Sequence, residues 1–206
     1  MTKLTPLKSA CIALLLVGLI TGCAPSIDTQ PHDACTFLSN NPYILQSTLA
    51  VSEVPRTQAR LLATIYVESG HHAYARPVES WYWEPYIAKS YQSSSRGYAQ
   101  STNATWHDFS KYHGRTMYRL SYYDNLEFIK WYYQTRSRYI NKNSEYEASL
   151  YIIYHEGPTG YRRYTHGQKS APIKTAKRFA VLSDTMTKEL RKCQDVLAWQ
   201  NQWLTG

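Results

Sequence analysis

The chain has 206 residues, 23 Lys and Arg against 15 Asp and Glu, a formal net charge of +8, and 19 tyrosines. That length makes one domain with room for a real core. A basic chain with no run of five cationic residues and no zinc-finger or RNP pattern is not built to grip nucleic acid; its charge suits an anionic wall polymer or a membrane surface.

Lys3 and Lys8 precede an apolar run of 11 residues over 10–20, too short for a comfortable membrane span and of signal-peptide length. The run ends in Ile20-Thr21-Gly22-Cys23, which resembles a bacterial lipobox. That resemblance implies an acylated Cys23 at the mature N-terminus, and Ala24 in place of Asp implies sorting to the periplasmic side of the outer membrane. The alternative is an ordinary secretory signal cut nearby. The expected organisation is a signal peptide over 1–22, a lipidated tether over 23–31 and one domain over 32–206. Of four cysteines, Cys11 leaves with the signal and Cys23 carries lipid. Cys35 and Cys193 remain, as one disulfide in an oxidising compartment or as two buried thiols.

In chain order, a short helix from 32 carries Cys35 and Phe37, and Asn41-Pro42 reads as N-cap and first helical residue of a helix to about 51. Pro55 opens the most informative segment. Ala59, Leu62, Ala63 and Tyr66 recur at helical spacing and Gly70 supplies a left-handed stop, so 55–69 is a core helix. Its last turn holds Glu68, where the helix dipole and apolar neighbours both disfavour the ionised form. A raised pKa is expected there. After Arg76-Pro77 comes a long loop bearing Trp81, Tyr82, Trp83, Pro85, Tyr86 and Tyr91, too aromatic for disorder and suited to covering part of a cleft. A tight turn at Gly97 precedes a helix starting near Thr102. Further helices are expected over 125–139 with Asp124 as cap, over 144–154 with a stop at Gly157-Pro158, and from 173 to about 193 with an extension to 203. The class is mainly α.

All but one of the tyrosines lie between Tyr66 and Tyr164, with four of six tryptophans, interleaved with polar residues. Flat apolar faces with hydrogen-bonding tips suit a cleft for sugar rings. No spacing of His, Cys, Asp or Glu suggests a ligand set, His71-His72 included, so no metal or cofactor is expected.

Three segments then align with one family. Glu68-Ser69 at a helix end, Gly97-Tyr98-Ala99-Gln100 in a turn and Tyr154-His155-Glu156-Gly157 at a later helix end resemble, in order, the motifs of the soluble-lytic-transglycosylase type of lysozyme-like domain. Asp33-Ala34-Cys35 fits a lipoprotein group of that superfamily, and the likeness spans 33–193. Two departures stand out: His155 and Glu156 replace the usual Asn and Ala, and Tyr98 and Ala99 replace Leu and Met.

The resemblance implies a lysozyme-like single domain that cleaves the MurNAc-GlcNAc bond of peptidoglycan and leaves 1,6-anhydro ends, with Glu68 as lone catalytic acid and base. It implies substrate contacts from Ser69, Tyr98, Gln100, Tyr154, His155, Glu156 and Tyr161, with Tyr154 hydrogen-bonded to Glu68. Two rivals stand beside it: a hydrolase using Glu156 as second carboxylate, and a non-catalytic wall-binding lipoprotein. The expected partners are glycan strands and, through the lipid, a membrane.

Overall fold

A computed structural model describes residues 33–77, 93–140, 145–168 and 170–205. The expected signal peptide, Cys23, the expected tether and the expected aromatic loop lie outside them. Among the described residues seven α-helices follow in order: α1 Ala34–Asn40, α2 Pro42–Val51, α3 Pro55–Ser69, α4 Asn103–His113, α5 Tyr122–Arg136, α6 Tyr146–Thr165 and α7 Ile173–Thr205, with a 3₁₀ turn Ser137–Tyr139 after α5. Among the described residues the only β pairing is an isolated bridge between Arg96 and Ser101.

The centre of the domain is α3. Pro55 occupies its first turn, Leu61, Leu62, Ala63 and Ile65 are buried, and Gly70 closes it at φ 58° and ψ 33°. Each large aliphatic side chain removed from water on this stripe contributes roughly 1.5–3 kcal/mol. The long α7 lies along α3 and also packs on α6, α1 and α2, while α5 touches α2, α3 and α6. Cys35 and Cys193 are joined in a disulfide that ties α1 to α7. The Ala34 amide donates to Glu189 on α7 at 2.9 Å, so the start of the domain is fastened to that helix twice.

Three expectations change. The cap of α5 is Ser121, whose hydroxyl accepts from the Asp124 amide. Asp124 sits one turn inside, buried, accepting from Arg115 at 3.0 Å and from the Tyr118 amide at 2.8 Å. Asn41 does hold the N-cap position of α2 with Pro42 after it, but its side chain makes no cap hydrogen bond there and donates to Phe37 O on α1. Gly157-Pro158 does end the first helical segment of α6, with Gly157 at φ 70° and ψ 171°, but Pro158 starts a second, unexpected segment that runs across the kink to Thr165. Proline is as compatible with a first helical turn as it is hostile to an interior one.

Candidate active site

The last turn of α3 brings Glu68 to the floor of a groove of about 470 Å³. Gln100 lines it from the turn before α4, Tyr132 from α5, and Tyr154, His155 and Glu156 from α6. Glu68 as a residue is half-buried, yet its Oε1 is buried and has no hydrogen-bond partner among the described residues. Burial pushes the carboxyl above its ordinary value, and a hydrogen bond from Tyr151 and the charge of His155 pull the other way without reversing it. A carboxyl in that setting holds its proton to higher pH than a solvated glutamate.

Three tyrosines surround this carboxyl, and their hydroxyl protons are committed differently. The Tyr154 hydroxyl donates to Ala99 O at 2.6 Å. Thr64 Oγ1 donates to Arg60 O, so its 2.7 Å contact with the Tyr133 hydroxyl is one in which Tyr133 donates. Among the described residues, Tyr151 is the one whose hydrogen-bonding influence lowers the Glu68 pKa. All three phenols are pushed up, by burial first and then by Glu68 among other charges, so they are neutral donors. The expected bond from Tyr154 to Glu68 is therefore not formed, and the tyrosine whose hydrogen bonding acts on the Glu68 pKa is Tyr151, one turn earlier on the same face of α6. Tyr154 instead fastens α6 to the turn that carries Gln100.

That turn is held from several sides. Gly97, at φ 79°, has no room for a Cβ, which would lie 3.2 Å from Arg119 O. The Ala99 amide donates to Asn125 Oδ1 at 3.2 Å, while Asn125 Nδ2 donates to Arg119 O and Ser121 O. Asn125 is fully buried and is a supporting residue that sequence reading treated only as the start of a helix. Gln100 adopts φ 45°, a left-handed conformation that costs a non-glycine residue about 1–2 kcal/mol. Its Nε2 offsets this by donating to Ala75 O and Gly97 O at 2.9 and 2.7 Å. Both amide hydrogens are thus spent, so its carbonyl oxygen is the group it offers a ligand.

On α6, His155 Nδ1 lies 3.1 Å from Glu156 Oε1. The Glu156 side chain folds back over Gly160, where an added Cβ would come within 2.8 Å of Glu156 Cβ and 3.2 Å of its Oε2. Glycine at 160 is what makes room for this second carboxylate at the groove.

Three residues expected at the substrate stand elsewhere. Ser69 bonds back to Ile65 O at 3.0 Å, a local contact typical of a hydroxyl in a last turn. Tyr98 is buried edge-on against Tyr122, with ring centroids 4.9 Å apart. Tyr161 is buried past the kink, beside Tyr139 and Pro158 in a separate hollow. None of the three lines the groove. His71 is likewise a core residue: its Nδ1 is 2.9 Å from the Tyr122 hydroxyl, and burial first, with a smaller push from His72, lowers its pKa to about 3. Among the described residues no three His, Cys, Asp or Glu side chains group as metal ligands. The signal that finds Tyr151 is its i, i+3 relation to Tyr154, which puts both rings on one helix face.

The sequence matches the family described as Transglycosylase SLT domain over residues 11–193, most of the chain. No curated protein and no solved structure matches it.

Proposed function

The chain belongs to the transglycosylase SLT domain family, and from that premise we propose that it is a peptidoglycan lytic transglycosylase in which Glu68 is the sole acid and base. Protonated Glu68 gives its proton to the oxygen of the MurNAc-GlcNAc bond as the bond from the MurNAc anomeric carbon to that oxygen breaks. The acetamido group steadies the cationic centre. The Glu68 carboxylate then takes the proton of the C6 hydroxyl, whose oxygen bonds to the anomeric carbon and closes the 1,6-anhydro ring. One group that serves first as acid and then as base works best with a pKa near the working pH.

The observation that carries this reading is the buried, unpartnered Glu68 Oε1 at the floor of an open groove. An acceptor left bare in that way is an unfavourable arrangement for a structural residue. It is a useful one for a proton donor awaiting substrate. Gln100 and Tyr154, on the groove wall, are the positioning partners in this reading, with Tyr151 orienting the carboxyl itself.

Glu156 supports a second reading, because among the described residues it is the other carboxylate lining the groove and His155 Nδ1 lies beside it. Acting on a water, it would make the reaction hydrolytic. Purified protein incubated with peptidoglycan, with the soluble products weighed by mass spectrometry, separates the cases. Anhydro-muropeptides support the transglycosylase, reducing ends the hydrolase, and co-sedimentation without release the glycan clamp. In the same reading Cys23 is acylated and tethers the enzyme to the periplasmic side of the outer membrane. Incorporation of a labelled fatty acid that is lost in Cys23→Ser tests it.

A further inference from the structure

The outward face of α7 is not explained by the fold or by the groove. Val181, Lys188, Lys192, Val196, Trp199 and Trp203 are all exposed, the two indoles at 60% and 74%. Steps of four, four, three and four residues lead from Lys188 to Trp203, which at 3.6 residues per turn keeps these side chains within about 80° of arc. Trp199 and Trp203 touch edge to face at 5.8 Å, forming one apolar ridge near the end of the helix. Three acidic side chains flank the stripe: Asp195, exposed, Glu189, which accepts from the Ala34 amide, and Asp184, which is paired with Arg56. Two adjacent bare indoles continuing a lysine stripe are a costly surface to leave in water.

We propose that this face of α7 lies against an anionic phospholipid surface, with Trp199 and Trp203 seated at the headgroup level and Lys188 and Lys192 on lipid phosphates. Indoles combine a flat apolar body with an N–H donor and favour the interface, and lysines add attraction to anionic headgroups. No described helix is long and apolar enough to cross a membrane, so α7 lies on the surface and does not enter it. The position of the chain start points the same way. Nine residues separate Cys23 from Asp33, a reach of about 35 Å at full extension. Ala34 and Cys35 are then pinned to Glu189 and Cys193 on α7 itself. The ridge begins six residues beyond Cys193, roughly 9 Å along the helix. In this respect the inference rests on the proposed acylation of Cys23: an anchor there holds this end of α7 beside the bilayer. The groove takes no residue from α7, so the docked face leaves it open.

The test uses the full chain with vesicles of phosphatidylethanolamine and anionic phosphatidylglycerol whose acyl chains carry bromine near the glycerol. Bromine quenches only indoles at interfacial depth. The expected result is partial quenching of the wild type that is lost in W199F/W203F, a variant that keeps apolar aromatic rings and the fold. K188E/K192E should weaken vesicle partitioning about tenfold or more, with the loss fading at high salt. Equal quenched fractions in wild type and W199F/W203F overturn the surface, whatever Cys23 carries. A concentration-dependent dimer abolished by W199F/W203F, with no quenching, overturns it in favour of a second copy of the chain. Trp-dependent quenching retained in a protein with no acyl group on Cys23 supports the surface and overturns only the anchor.

Discussion

On the N-terminal half of α3, Arg56 and Arg60 close on Glu147 at 2.9 and 2.6 Å, whereas at its C-terminal end Glu68 meets a tyrosine hydroxyl and, at longer range, His155. Both carboxylates are drawn from water by the same helix. Glu147 receives two guanidinium groups, one of which also reaches Asp184 at 2.7 Å, and the result is a cross-brace between α3, α6 and α7. Among the described residues Glu68 receives no cation in contact and keeps one oxygen bare. The difference is what singles out Glu68 as the proposed acid: the fold withholds from it the partner that it supplies to Glu147.

Glu68→Gln gives the sharpest break in that contrast. It keeps the shape of the side chain and removes the proton that moves, so release of anhydro-muropeptides should fall at least about 10²- to 10⁴-fold, the usual span for a lost acid or base. Circular dichroism should be unchanged. Glu147→Gln should do the reverse. It leaves Arg60 without its carboxylate and costs about 1–3 kcal/mol, below the ~3–5 kcal/mol of a fully buried pair because the two arginines retain 25% and 39% exposure. Thermal unfolding should register that loss while turnover per folded molecule stays the same.

A smaller effect concerns stability against pH. The folded-state pKa of Glu68 lies above its unfolded value. The stability this contributes is fully present below the unfolded pKa and is lost as pH rises through the folded one. Glu68→Gln escapes that loss, so it should be more stable than wild type at pH 8, with the gap closing as the pH falls toward 4. Denaturant titrations of both proteins at the two pH values measure it. The smallest effect expected is that of Tyr151→Phe. Its hydrogen bond lowers the Glu68 pKa, so removal should shift the alkaline limb of the activity profile to higher pH. Maximal rate should fall about two- to tenfold, the worth of one neutral hydrogen bond.

The helices were largely legible because their signals are local. Pro55 and Gly70 bracket an apolar period, and α3 runs between them to the residue. Thr102 before α4 and the length of α7 followed from the same kind of reading. Where several side chains compete for one role, the pattern ran out. Tyr151 and Tyr154 share a face of α6, and which hydroxyl reaches Glu68 depends on Ala99 O being in reach of the second. Asp124 and Ser121 are both good caps by composition, and the backbone path chose the earlier one. Ser69, Tyr98 and Tyr161 fell within or close to family-like motifs but point into local or core contacts, because a motif fixes neighbours along the chain and not the direction of each side chain. Gly160 carried no signal at all until the side chain of Glu156 was seen lying across it.

The central claim is that Glu68 carries its proton in a buried site without a cationic partner in contact. Carboxyl-carbon NMR titration of glutamate-labelled protein, with Glu68 assigned by the signal missing in Glu68→Gln, tests it directly. The account predicts a midpoint clearly above the ordinary glutamate value of about 4.3. A midpoint at or below that value would contradict it.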